Sequence, residues 1–153
     1  MNEALPVLYE SARRKALDAL ALVEASLADY QPYSSGHNYA PKEREPYDAL
    51  ADRYMRAIEV CIKFFRTYER MMFADSSETY RDLLQRTHKL EMIASPSLWF
   101  EMRDLRNRIV HDYLPQQLEQ LYTLIAGPYG DELLSMKGRI AAADAPSLGL
   151  ARP

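Results

Sequence analysis

The stretch from Arg103 to Pro115 (RDLRNRIVHDYLP) gathers side chains that together could cleave RNA. Successive residues of an α-helix turn by about 100°, from 3.6 residues per turn. Asn107 and His111 are four apart and would share a face. Arg106 and Tyr113 are seven apart and nearly aligned, while Leu105 and Ile109 lie on the core side. A histidine can take the proton of a ribose 2′-OH or give one to the leaving 5′-oxygen at neutral pH. An arginine can hold the phosphate and offset the charge added in the transition state. The Asn107 amide can fix the imidazole, and the Tyr113 hydroxyl can hydrogen-bond phosphate or ribose. Arg103 and Arg108 add positive charge nearby. None of these steps requires a metal.

Each residue alone has a plainer reading. A histidine near a helix C-terminus commonly offsets the helix dipole. Arg106 could pair with Asp104 or Asp112, and Tyr113 could be a half-buried packing residue. Only the combination points to catalysis.

The elements that must position this stretch are helices. Leu is common, Val and Ile are few, and only five glycines occur, a balance that favours helices over sheets. Residues 5 to 29 carry Leu5, Leu8, Ala12, Ala16, Leu20, Val23 and Leu27 at steps of three and four, one apolar helical face. Residues 30 to 46 hold three prolines and read as a long loop; four tyrosines (30, 33, 39 and 47) lie in or beside it. The plain reading of that loop is a solvated connector. A second helix is predicted from Tyr47 to Phe73, with the stripe Leu50, Tyr54, Ile58, Cys61, Phe65, Tyr68 and Met72.

Asp75 and Glu78 suggest an N-cap and N3 pair for a third helix over about 76–91. Ser95-Pro96 starts a fourth, with Leu98, Met102, Leu105 and Ile109 on its inner face. Pro115 pushes Leu114 out of helical geometry, so this helix should end near Tyr113. Pro115 opens a fifth helix through Leu118, Leu121, Tyr122 and Ile125, which Gly127-Pro128 kinks or splits before Leu133, Met136 and Ile140. The expectation is all-α: an antiparallel up-and-down bundle of four to five helices in one domain, residues 1–144, with a disordered tail over 145–153.

Composition narrows the function. The net charge of −3 gives no global attraction to nucleic acid or anionic membrane, so an RNA site must be a local basic cleft. No apolar run is long enough to span a bilayer, and the N-terminus does not read as a signal peptide. Cys61 is the only cysteine and lies in a core stripe, which suits a reducing cytoplasm and a packing role. His88 sits near the end of the third helix, where a structural role outweighs catalysis, and His37 lies in the loop. The histidines, Cys61 and the carboxylates show no zinc spacing, and no phosphate-binding Gly-rich loop occurs. No cofactor is implied.

Arg106, four residues, His111, one residue, Tyr113 is an Rx4HxY pattern within LRNRIVHDY, with Asn107 directly after the arginine. It resembles the HEPN superfamily, and within it the HepT toxins of HepT/MntA toxin–antitoxin pairs. The resemblance extends over roughly residues 50 to 143 in helix order and in placing the motif before the last long helix. It implies a homodimer whose motif residues line one shared cleft, and RNA cleavage by Arg106 and His111. It also implies silencing by an MntA-like nucleotidyltransferase that transfers AMP to Tyr113, a bulky anion that would block RNA entry. The departure from that family lies in the N-terminal third, where the tyrosine-bearing loop at 30–46 matches no recognised motif. The alternative is a non-catalytic helical subunit that only docks a nucleotidyltransferase, or a structural dimer in which the motif is coincidental.

Overall fold

The structure, a computed structural model, describes residues 4–111 and 114–143. The order is α1 (Ala4–Ala28), α2 (Pro41–Phe73), α3 (Tyr80–Lys89), α4 (Pro96–Arg108), α5 (Pro115–Leu124), a wide turn over Ile125–Tyr129, and α6 (Gly130–Ala142), with no strand among the described residues. The fold is all-α.

Side-chain pairings fix the topology. Tyr9 of α1 meets Phe64 and Tyr68 of α2, while Arg53 of α2 reaches the Leu22 carbonyl, so α1 and α2 run antiparallel. Phe65 packs edge-on against Trp99 of α4 at 4.9 Å, and Glu59 pairs with Arg106, which makes α2 and α4 antiparallel as well. Trp99 Nε1 donates to Glu132 of α6 at 2.9 Å. Arg13 of α1 donates to the Ile140 and Ala141 carbonyls, and Tyr9 to that of Ala143. The ring therefore closes as α1, α2, α4 and the kinked α5–α6 rod, an up-and-down four-helix arrangement with α3 as a short brace between α2 and α4. Its axis is filled by fully buried Tyr54, Phe64, Phe65, Trp99 and Met102 and by the aliphatic side chains around them. Cys61 is buried among them, as its place in the apolar stripe predicts.

The element boundaries differ from the sequence reading at three places. First, α2 starts at Pro41, inside the stretch expected to be loop. Pro41 takes the first helical position, where its missing N–H costs nothing. Glu43 Oε1 accepts from the Ala40 N–H at 2.8 Å. Pro46 lies inside the helix and brings no N–H for the Lys42 carbonyl, at a turn that is exposed. Second, α3 is capped by Thr79, whose hydroxyl accepts from Asp82 N–H at 3.0 Å, and not by Asp75. The buried Glu69 carboxylate holds Ser77 by its N–H and hydroxyl and so keeps 75–79 out of the helix. Asp75 is engaged by Arg86 instead.

Third, α4 ends at Arg108 and not near Tyr113. The His111 N–H bonds to the Arg108 carbonyl at 2.9 Å, a three-residue closure that abandons α-helical register.

Two details complete the frame. Leu8 and Met72, expected in core stripes, are exposed, while Tyr9 and Trp99 are fully buried. Gly130 sits where a Cβ would lie 2.3 Å from the Ile125 carbonyl oxygen, so the bent rod packs there only with glycine. The loop is not the solvated connector expected. Tyr33 and Tyr47 are buried and cluster with Tyr39 and with Tyr122 of α5, and Ser35 bonds Glu119.

Candidate functional site

The last turn of α4 carries Arg106 and Asn107 over α2. Arg106 Nη1 lies 2.9 and 3.0 Å from the two carboxylate oxygens of Glu59. Its Nη2 and Nε donate to Asn107 Oδ1 at 2.8 and 3.2 Å. The partner of Arg106 is thus Glu59, across the helix pair, and not Asp104. Asn107 orients the guanidinium and makes no hydrogen bond to the imidazole, because α4 has lost its register before His111. Arg106 and Arg108 sit at the negative end of the α4 dipole, a favourable position.

An open groove of about 420 Å³ lies beside this pair, lined by Asp52, Met55, Arg56 and Glu59 of α2 and by Arg106, Asn107 and Val110. Its charges balance, since Asp52 pairs with Arg56 at 3.2 Å and Glu59 with Arg106. A phosphate entering here meets a guanidinium already occupied by a carboxylate. His111 follows in the exposed turn beyond α4. Val110 and Leu114 on either side of it are exposed apolar residues. Tyr113 and Asp112 lie outside the described residues.

The other expected cations separate. The Arg103 guanidinium lies 4.3 Å over the Tyr80 ring, on the α2–α3 side. Burial pushes the Tyr80 phenol up to about 12, and the charges of Arg103, Arg106 and Arg66 pull against that rise. Arg108 faces the other flank, near Tyr129, whose hydroxyl donates to Glu101. Arg103 and Arg106 therefore share one side of α4, and Arg108 does not join them.

Glu59 escaped the sequence reading. Its exposed place on α2 was legible, but nothing in the sequence put α4 above it. His88 Nδ1 lies 3.3 Å from the Ile93 carbonyl, and His37 pairs with Glu43 at 3.1 Å. No group of His, Cys, Asp and Glu among the described residues is arranged to hold a metal ion. No helix among them is long and apolar enough to cross a membrane.

A family model described as "Ribonuclease HepT-like" matches residues 23–130, which includes α2, α3, α4, the motif and α5. No match was found among curated proteins or among solved structures.

Proposed function

The chain belongs to the HepT-like ribonuclease family, a HEPN-type family of endoribonucleases, and from that premise we propose that Arg106 and His111 form its cleavage site. RNA enters beside α4, and the phosphate displaces Glu59 from Arg106. The guanidinium then neutralises the charge that builds on the phosphoryl oxygens. His111 carries the proton: the ribose 2′-OH loses it, the 2′-oxygen bonds to phosphorus, the P–O5′ bond breaks, and the 5′-oxygen takes a proton. The products are a 2′,3′-cyclic phosphate and a 5′-hydroxyl. Asn107 acts on Arg106, Arg108 flanks the site, and the reaction proceeds without a metal.

The observation that carries this reading is Arg106 at the wall of an open groove within the family's matched segment. His111 lies five residues further on, exposed to incoming substrate.

The finer biology belongs to the same reading. The protein is the cytoplasmic toxin of a toxin–antitoxin pair, works as a homodimer, and is silenced when an MntA-like nucleotidyltransferase moves AMP onto Tyr113. The exposed Val110 and Leu114 beside His111 support a subunit interface at the motif.

Cleavage of an RNA transcript by wild type, Arg106→Ala and His111→Ala, with a chelator present, tests the site. Losses of about 10²- to 10³-fold are expected for each variant, and equal rates for all three proteins refute the assignment. Co-expression with a nucleotidyltransferase partner should add AMP-sized mass increments that Tyr113→Phe abolishes.

A further inference from the structure

Along α2, Arg56, Glu59, Lys63, Arg66 and Arg70 follow at steps of three and four, so they form one exposed stripe. It begins at the groove, where Arg56 and Arg106 stand, and climbs toward α3. From Arg56 to Arg70 it covers roughly 21 Å at 1.5 Å per residue. Glu59 is occupied by Arg106, and at the far end Glu69 and Asp75 are both occupied by Arg86. Lys63, Arg66 and Arg70 make no ion pair among the described residues.

Helix α4 sorts its charges to match. Arg103 and Arg106 turn toward this stripe, while Glu101 and Asp104 stand with Arg108 on the flank around Tyr129. A chain of net charge −3 thus concentrates cations on one face that starts at the motif. The cations recur about every 5 Å along the helix, more than the roughly 3.4 Å per nucleotide of a stacked strand. A partly unstacked single strand matches that repeat better than a duplex.

Building on the cleavage-site reading above, we propose that Lys63, Arg66 and Arg70, with Arg103 beside them, form a track for the sugar–phosphate backbone of single-stranded RNA leading away from the groove. The track grips substrate length without touching the scissile bond. Long RNA therefore binds through it, and a dinucleotide does not reach it.

The test is binding of a single-stranded RNA oligonucleotide across a salt series by fluorescence anisotropy. The proteins carry His111→Ala to prevent cleavage. The comparison is between that background, the triple variant Lys63→Gln/Arg66→Gln/Arg70→Gln, and Arg14→Gln/Lys15→Gln on exposed positions of α1. Three lost phosphate contacts should flatten the log–log salt slope by about 2 and weaken binding about 50-fold at 0.15 M salt. The α1 variant should change neither. An unaltered slope and affinity in the triple variant overturns the track, whatever the cleavage assays show. Equally tight, equally stripe-dependent binding of polyglutamate overturns RNA as its occupant. With His111 restored, the triple variant should cleave a dinucleotide at the wild-type rate. A proportional loss on both substrates places these residues in the cleavage machinery and overturns a separate track. Circular dichroism melting of each variant confirms that the compared proteins are folded.

Discussion

Replacing Glu59 by glutamine should make this ribonuclease bind RNA more tightly while making it slightly less stable. One Arg106 nitrogen is shared between both Glu59 oxygens, with the two side chains 21% and 52% exposed. That is not the parallel two-nitrogen fork that makes arginine–carboxylate pairs strong. A half-exposed pair of this kind contributes about 0.5–1 kcal/mol. Any phosphate that takes Arg106 must first break it, so the same amount is withheld from RNA binding. Glu59→Gln releases it, and affinity should rise about two- to fivefold, since 1.4 kcal/mol is tenfold. The melting temperature should fall by no more than about 4 °C for a chain of this size.

Asp52→Asn is the control, because it removes the same charge from the groove and leaves the Arg106 pair intact. Calorimetric or anisotropy titration at low salt, together with cleavage at saturating RNA, reads the outcome. Equal gains from Glu59→Gln and Asp52→Asn would show that the local field acts and not the released guanidinium. Weaker binding, or a tenfold loss of turnover at saturation, would show that the carboxylate positions Arg106 productively and does not mask it. Either result refutes the reasoning.

Four further outcomes are expected. Glu132 is 5% exposed and accepts from Trp99 Nε1, the Ala94 N–H and Arg139; Glu132→Ala leaves these donors stranded and should cost about 3–5 kcal/mol in urea unfolding. Gly130→Ala should destabilise because its methyl meets a backbone carbonyl, whereas Gly138→Ala, with open space in a helix interior, should stabilise by about 0.5–1 kcal/mol. Folding raises the Tyr80 phenol from 10.0 to about 12, so the native state holds its proton longer than the unfolded chain. That contribution is complete below pH 10 and is lost as pH rises toward 12; urea titrations across that range should show falling stability, with a smaller fall in Tyr80→Phe. Burial raises the Cys61 thiol and shields it, so an alkylating reagent should label it only at the rate of unfolding.

The sequence made the helices legible where apolar spacing and strong caps agreed. Ser95-Pro96 started α4 as expected, with the serine hydroxyl accepting from the Leu98 N–H at 3.1 Å. The α2 stripe is buried from Leu50 through Tyr68. Errors arose where a local signal met a distant partner. Asp75 and Glu78 have capping chemistry, but Glu69, buried on another helix, holds Ser77 and removes that choice. Pro46 reads as a helix breaker, yet Pro41 and Glu43 had already started the helix.

The same limit applies to the site. The motif was visible as a string, but its assumed face depended on helical register continuing to His111. The turn closure at Arg108 breaks that register. Glu59 could not be assigned to Arg106 without knowing that α4 crosses α2 there. The cation spacing on α2 was present in the sequence all along. It gained meaning only once the neighbouring acids proved to be engaged elsewhere.

The segment shared with the ribonuclease family, residues 23–130, stops short of most of α1 and nearly all of α6. Those two helices lie side by side, and Tyr9 and Arg13 tie α1 to the last carbonyls of α6. Excising the shared segment as a minimal nuclease would strip one wall from the interior and bare Phe64 and Tyr68 to water. The matched segment therefore leaves out two helices that cover its interior. In this protein the matched centre is kept upright by two helices that lie largely outside the match.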